Sequence, residues 1–235
     1  MIVCHKHRFI FVKTRKTAGT SIEVALSSLC GEGDIITPIA PEDERVRQEL
    51  RYRGPQNDLI PFRRYRGWEW RRLLLRGKRA RFFNHMTARR ARIALGDEIW
   101  NSYFKFCFDR NPWDRIVSLY HWRCFRAGDT GLNFDKFLLG ERPYLMSNYD
   151  IYSIDGQVAV DFVGRYENLV EDFNRALTRI GIDTKVDLPR LKATARTDRR
   201  PYQQIITPDQ QRYIANYCGS EIALLGYEFS APQRP

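Results

Sequence analysis

Residues 8–26, RFIFVKTRKTAGTSIEVAL, pass from an apolar run through a short polar loop into a helix-spaced apolar run. The pattern predicts a strand at Phe9–Val12 stopping at Lys13, a sharp loop over Thr14–Gly19 and a helix from about Thr20. Ile22, Val24, Ala25 and Leu26 would lie on its buried side. The first N–H groups of such a helix lack intrahelical partners, and the macrodipole favours an anion beside them. Lys16 adds a full positive charge, while Thr17, Thr20 and Ser21 add hydroxyl donors. The glycine spacing of a full phosphate loop, GxxxxGK[ST], is absent. On this segment alone, an anion cradle and a plain βα turn with a surface lysine stand level.

A second unit of the same kind occupies residues 103–122, YFKFCFDRNPWDRIVSLYHW. It predicts a strand at Tyr103–Phe108 and a helix from Pro112, with Asn111 as N-cap and proline at the first helical position. Arg110, at the carboxyl end of the strand, carries a planar fork suited to a phosphate. Ser118 follows about two helical turns on. Taken singly, this unit reads equally well as a sheet-edge arginine followed by a helix with a small packing serine.

Together the segments resemble the sulfotransferases that use 3′-phosphoadenosine 5′-phosphosulfate (PAPS), nearest to carbohydrate sulfotransferases and their small bacterial relatives. The matching residues are RKTAGTS at Arg15–Ser21, RNPWDRIVSLY at Arg110–Tyr120, FVGRYENLVEDFN at Phe162–Asn174 and YCGSEIALLGYEF at Tyr217–Phe229. Where this chain has Lys13 and Arg15, the family pattern has His and Pro. The resemblance implies a P-loop-like three-layer α/β fold with a mostly parallel central sheet, spread over residues 1–235 as one domain. It further implies that Arg15, Thr17, Ala18, Gly19, Thr20 and Ser21 hold the 5′-phosphosulfate, with Gly19 permitting close approach. Lys16 would neutralise the leaving group, and Arg110 with Ser118 would hold the 3′-phosphate. His85, in NHMTARRAR after the apolar RFF, resembles the family's HATAxxxR-like segment and is the candidate base, against a capping or core role. Glu167 is the rival base, with a structural role ranked above it. Arg199, Arg200 and Tyr202 are candidates to close over the 3′-phosphate. The reaction needs no metal.

Composition agrees with a globular protein: 43% hydrophobic and 29% charged, in 235 residues. No run approaches the ~20 apolar residues of a membrane span. A strand expected within ten residues of Met1 leaves no room for a signal peptide, so a cytoplasmic protein is expected. The five cysteines have scattered spacings and no CxxC, which argues for buried thiols rather than a zinc site.

The net charge of +11 concentrates between Arg45 and Arg92, where 16 basic residues face 3 acidic ones. Within that region RRYRGWEWRRLLLRGKRARFF (Arg63–Phe83) interleaves arginines with Tyr65, Trp68, Trp70 and Leu73–Leu75, and residues 35–81 are read as a basic insertion on the substrate side. A solvated helix face whose aromatics and leucines pack on the core is one reading. The others are a docking surface for an acidic glycan or glycolipid and a peripheral contact with an anionic membrane. Nucleic acid ranks lower, because the aromatics are tryptophans among leucines.

Elsewhere the pattern predicts loop and irregular helix over Ile35–Asn57 and a short strand near Arg81–Asn84. A helix from Thr87 to Leu95 would stop at Gly96, and another would run from Asn133 to Gly140. Asp155–Gly156 signals a hairpin, Phe162–Gly164 a core strand and Glu167–Ile180 an amphipathic helix. Thr207-Pro208-Asp209-Gln210 opens a last helix toward Leu225. Three function classes follow: a sulfotransferase acting on a hydroxyl, a nucleotide-dependent kinase or hydrolase, and a catalytically silent anion or nucleic-acid binder. The acceptor would be met by Ile35–Arg81 and Asp129–Tyr149.

Overall fold

The computed structural model describes residues 1–128, 131–140, 143–183, 186–189, 191, 198 and 200–229. Its elements in chain order are β1 (Ile2–Cys4), β2 (Phe9–Phe11), α1 (Gly19–Ser27), β3 (Ile35–Ile36), α2 (Pro41–Glu49), α3 (Gly67–Arg76), α4 (Ala88–Leu95) and α5 (Asp97–Ser102). There follow β4 (Phe104–Asp109), α6 (Pro112–Ala127), α7 (Phe134–Gly140), α8 (Pro143–Met146), α9 (Tyr149–Tyr152), β5 (Ser153–Ile154), β6 (Gln157–Val158) and β7 (Phe162–Arg165). Helices α10 (Leu169–Arg179), α11 (Pro208–Tyr217) and α12 (Gly219–Leu225) complete the series.

The main sheet has the order β3-β1-β2-β4-β7. Strands β2, β4 and β7 pair in parallel, whereas β1 runs antiparallel to both β2 and β3. Four of the five strands therefore share one direction. Their side chains alternate between two cores. One face packs Val3, Ile10, Val12 and Cys107 against Ala88, Ala91 and Leu95 of α4 and against Ile151 and Tyr152 of α9. The other packs Phe9, Phe11, Phe106 and Phe108 against Ile22, Ala25 and Leu26 of α1 and Phe173, Ala176 and Leu177 of α10. This is the expected three-layer α/β arrangement. A third apolar cluster joins α6, α7, α8, α11 and α12. At Gly164 a Cβ would stand 2.6 Å from the Phe108 ring, so glycine lets β7 close against β4.

Local signals hold at several boundaries. Asn111 Oδ1 accepts from the N–H groups of Trp113 and Asp114, with Pro112 opening α6. Thr87 caps α4, Gly96 (φ 92°) ends it, and Thr207 with Gln210 forms a capping box on α11. Asp155 and Gly156 both take positive φ in the β5–β6 turn. Other expectations need correcting. Strand β1 was not anticipated, because three residues carry no readable periodicity. Residues near Arg81 form a single bridge to Leu59 rather than a strand. The last helix is two helices: the path breaks at buried Cys218, next to Gly219, whose helix propensity is low.

Candidate active site

Strand β2 ends against the sheet core, and the chain must turn at once to start α1 on the aromatic face. It does so with two non-glycine residues in the left-handed region, Lys16 (φ 61°) and Ala18 (φ 58°). Such residues cost ~1–3 kcal/mol each and persist where surrounding contacts fix them. Backbone that alternates in this way turns successive N–H groups toward one concavity, which suits an anion. Ala18 precedes α1 without any side-chain cap, so the first turn of that helix keeps its donors for the same concavity. The residues present thus fit an anionic phosphosulfate.

Three side chains fix the loop from outside. The amide of Asn148 clamps Arg15 on both sides: Arg15 N–H donates to Oδ1 and Nδ2 donates to the Arg15 carbonyl, each at 3.0 Å. Nδ2 also reaches buried Asp109 at 3.0 Å. Burial raises the Asp109 carboxyl to about 6, against the pull of nearby Arg115. Arg110 Nη1 donates to the Lys16 carbonyl at 3.3 Å. His85 Nδ1 lies 3.2 Å from the Lys13 carbonyl. Because a carbonyl only accepts, Nδ1 must carry the proton, leaving the Nε2 lone pair for another partner. Burial, then the charges of Lys13 and Arg15, push the His85 imidazole down to about 3, so it is neutral at physiological pH.

Beneath the loop, Lys13 is buried and its ammonium donates to Glu23 and, at 3.3 Å, to Asn84. Gly19 matters here in an unanticipated way. A Cβ on Gly19 would come within 2.8 Å of Lys13 Cγ, so the glycine makes room for the lysine stem. The Thr14 and Thr17 hydroxyls lie 2.8 Å apart, with Thr14 donating to the Phe108 carbonyl. Thr17 is buried, and its hydroxyl braces the loop from inside. Ser21 is also buried, and its Oγ accepts from Leu191 N–H at 3.3 Å. Thr20 is half-buried at the start of α1.

Arg110 comes from the carboxyl end of β4, the parallel neighbour of β2, so both loops emerge at one edge of the sheet. Its guanidinium sits 4.1 Å from the Tyr166 ring centroid and donates through Nε (2.9 Å) and Nη2 (2.6 Å) to Asp114. Asp114, Ser118 and Trp122 recur every four residues along α6, on one stripe. Ser118 is half-buried on that stripe, and Lys16 Nζ lies 5.7 Å from the centroid of Trp122. Tyr202 is tied to the same segment, since its hydroxyl accepts from Asn111 Nδ2 at 3.2 Å. Glu167 accepts from Asn111 N–H at 2.7 Å and from the Tyr227 hydroxyl at 3.1 Å. That carboxylate positions the Arg110 segment. Arg200 pairs with Asp198, and Arg199 lies outside the described residues.

These two loops at one sheet edge belong to a chain that the profile of the sulfotransferase family matches over residues 1–228. The chain belongs to the sulfotransferase family. An uncharacterized protein of Archaeoglobus fulgidus is 33% identical over 106 residues, which are 44% of this chain and 88% of that protein. A solved structure of a sulfotransferase from Alicyclobacillus acidocaldarius is 16% identical, with a TM-score of 0.45, covering 94% of this chain and 96% of that one. Within this family member, the sequence reading missed Asn148, Tyr166 and Trp122. Asp114 was missed as well, although its four-residue spacing from Arg110 is the signal that could have found it. Asn148 had no local signal, because it meets Arg15 across 133 positions.

Proposed function

We propose that this chain transfers the sulfuryl group of PAPS to an acceptor hydroxyl as a single domain, its basic 35–81 segment on the acceptor side. The observation that carries the reading is the 3.3 Å contact between Arg110 and the Lys16 carbonyl. It means that a cationic fork and a loop suited to a phosphosulfate border one site, as a donor with phosphate at both ends requires. Backbone donors of Ala18, Gly19 and Thr20, with the Thr20 hydroxyl, bind the 5′-phosphosulfate, and the fixed Arg15 and buried Thr17 and Ser21 shape the loop. Arg110 and Ser118 bind the 3′-phosphate, with Arg110 exchanging Asp114 for it, and Tyr202 borders that end. The donor supplies an activated sulfuryl group and a stable leaving bisphosphate, so no metal is called for.

Lys16 neutralises charge growing on the bridging oxygen as the sulfur–oxygen bond breaks. His85 Nε2 accepts the acceptor hydroxyl proton as the new oxygen–sulfur bond forms. Held at about 3 by burial and by the nearby charges of Lys13 and Arg15, the imidazole is a weak base in the empty site. A bound donor anion would offset the Lys13 and Arg15 charges and raise the imidazole from that value. The acceptor class is an acidic carbohydrate or glycolipid, supported by the basic 35–81 segment. A reducing, cytoplasmic setting is supported by five free cysteines, four of them buried.

The test replaces Lys16 by alanine and measures turnover with PAPS alongside binding of adenosine 3′,5′-bisphosphate. Turnover should fall ~10²–10³-fold, the cost of losing one electrostatic stabiliser, with bisphosphate affinity changed far less. Full turnover in that variant, or activity only with ATP and magnesium, contradicts the reading.

A further inference from the structure

Helix α3 is tied to the body through the Glu69 side of the helix. Glu69 is buried and pairs with Arg90 of α4 at 2.5 Å, and it also accepts from Arg66 N–H at 2.7 Å. At 100° per residue, Glu69, Leu73 and Arg76 share that inner side. The outer arc carries Trp70, Leu74, Arg71, Leu75 and Trp68. Leu74 and Leu75 are 81% and 70% exposed, and Trp68 and Trp70 are 53% and 42% exposed. Trp70 stacks on Phe62 and packs against Tyr65, both just before α3 in the chain. Apart from Phe62 and Tyr65 against Trp70, this arc is exposed.

From Arg63 to Arg79 the same segment has eight basic residues against the single acid Glu69, which Arg90 already neutralises. A cavity of about 480 Å³ alongside is lined by Arg63, Arg64, Arg89 and Arg92, the last two paired with Asp155 and Asp97. Exposed tryptophans and leucines ringed by arginines match a bilayer interface: apolar tips enter the acyl boundary while guanidinium groups meet anionic headgroups. A soluble polyanion would use the arginines and leave the leucines in water. A second copy of the chain would set like charges against each other. We infer that α3 docks this protein on an anionic lipid surface, lying in the interface rather than crossing it. Arg90 is five residues beyond His85, so the docked helix is braced against the segment that carries that histidine. The inference concerns surface and charge alone, so it stands or falls separately from the sulfuryl-transfer reading.

The experiment is sedimentation of the full chain with vesicles of phosphatidylcholine alone and of equal parts phosphatidylcholine and phosphatidylserine. Binding should require phosphatidylserine and weaken with added salt. Arg71→Glu with Arg72→Glu should weaken it at least ~25-fold, about fivefold for each basic residue lost. Leu74→Ser with Leu75→Ser should weaken it at least ~10-fold with the charge unchanged. Brominated lipid should quench tryptophan fluorescence in wild type and not in the leucine variant. Circular dichroism of both variants should match wild type, since all four positions are exposed. Equal binding by the leucine variant, preference for heparin over vesicles, or a wild-type dimer that the leucine variant splits would each overturn the inference.

Discussion

Two cationic regions of this molecule are built in opposite ways. Around the Lys13–Thr20 loop, cations are held by fixed partners: Lys13 by Glu23, Arg110 by Asp114, and the Arg15 backbone by Asn148. Around α3, eight basic residues accompany a single acid that Arg90 already neutralises, and Trp68, Trp70, Leu74 and Leu75 between them are exposed. The first arrangement fixes the positions of a few charges around a small site. The second presents many charges to something broad. Net charge alone does not separate these roles; what each cation touches does.

The largest expected difference between the regions is in pH dependence. His85 lies about 3 in the folded chain against 6.5 for a free imidazole. Its folded value is depressed, so the unfolded chain takes up a proton first as pH falls. Stability present above 6.5 should therefore drain away toward pH 3, by ~3 kcal/mol at pH 4. His85→Asn removes that contribution, and asparagine tolerates the left-handed backbone at this position (φ 61°). Urea unfolding of the two proteins from pH 7 to pH 4 should show a shallower pH slope in the variant. Parallel slopes would mean that the imidazole titrates freely.

Next in size is the loop clamp. Asn148→Ala leaves the Arg15 N–H and carbonyl and the Asp109 carboxylate each short of a partner, which should cost ~1–3 kcal/mol. Thermal denaturation should register the loss, with bisphosphate affinity falling alongside. An unchanged melting temperature would show that the clamp contributes little. At the small end, Arg71→Glu with Arg72→Glu should move stability by less than ~0.5 kcal/mol and leave bisphosphate affinity unchanged. A large loss of either would mean that α3 is part of the nucleotide site after all.

The contrast also marks what the chain disclosed before folding. Both strand–loop–helix units were legible, because apolar runs, the Asn111–Pro112 cap and the Thr207 box are local signals. The sheet's order and the reversal of β1 were not, since they depend on pairing between triplets. Within the site, Lys16 and Arg110 could be named from segment chemistry. The duties of their neighbours could not. Gly19 makes room for Lys13, and Thr17 braces Thr14, and both depend on packing that no spacing encodes. Asn148 reaches Arg15 from the far side of β4 in sequence, so only the fold discloses it. The basic segment showed its charge in sequence, but whether its leucines face in or out is set by the Glu69–Arg90 pair.

The central claim is that the Lys16 loop and Arg110 grip one nucleotide. Calorimetric titration of adenosine 3′,5′-bisphosphate and adenosine 5′-phosphate into wild type and Arg110→Ala tests it most directly. Wild type should bind the bisphosphate in the micromolar range and the monophosphate much more weakly, and the variant should lose that preference. Equal affinity for both nucleotides in wild type, or an Arg110→Ala protein that still prefers the bisphosphate, would contradict it.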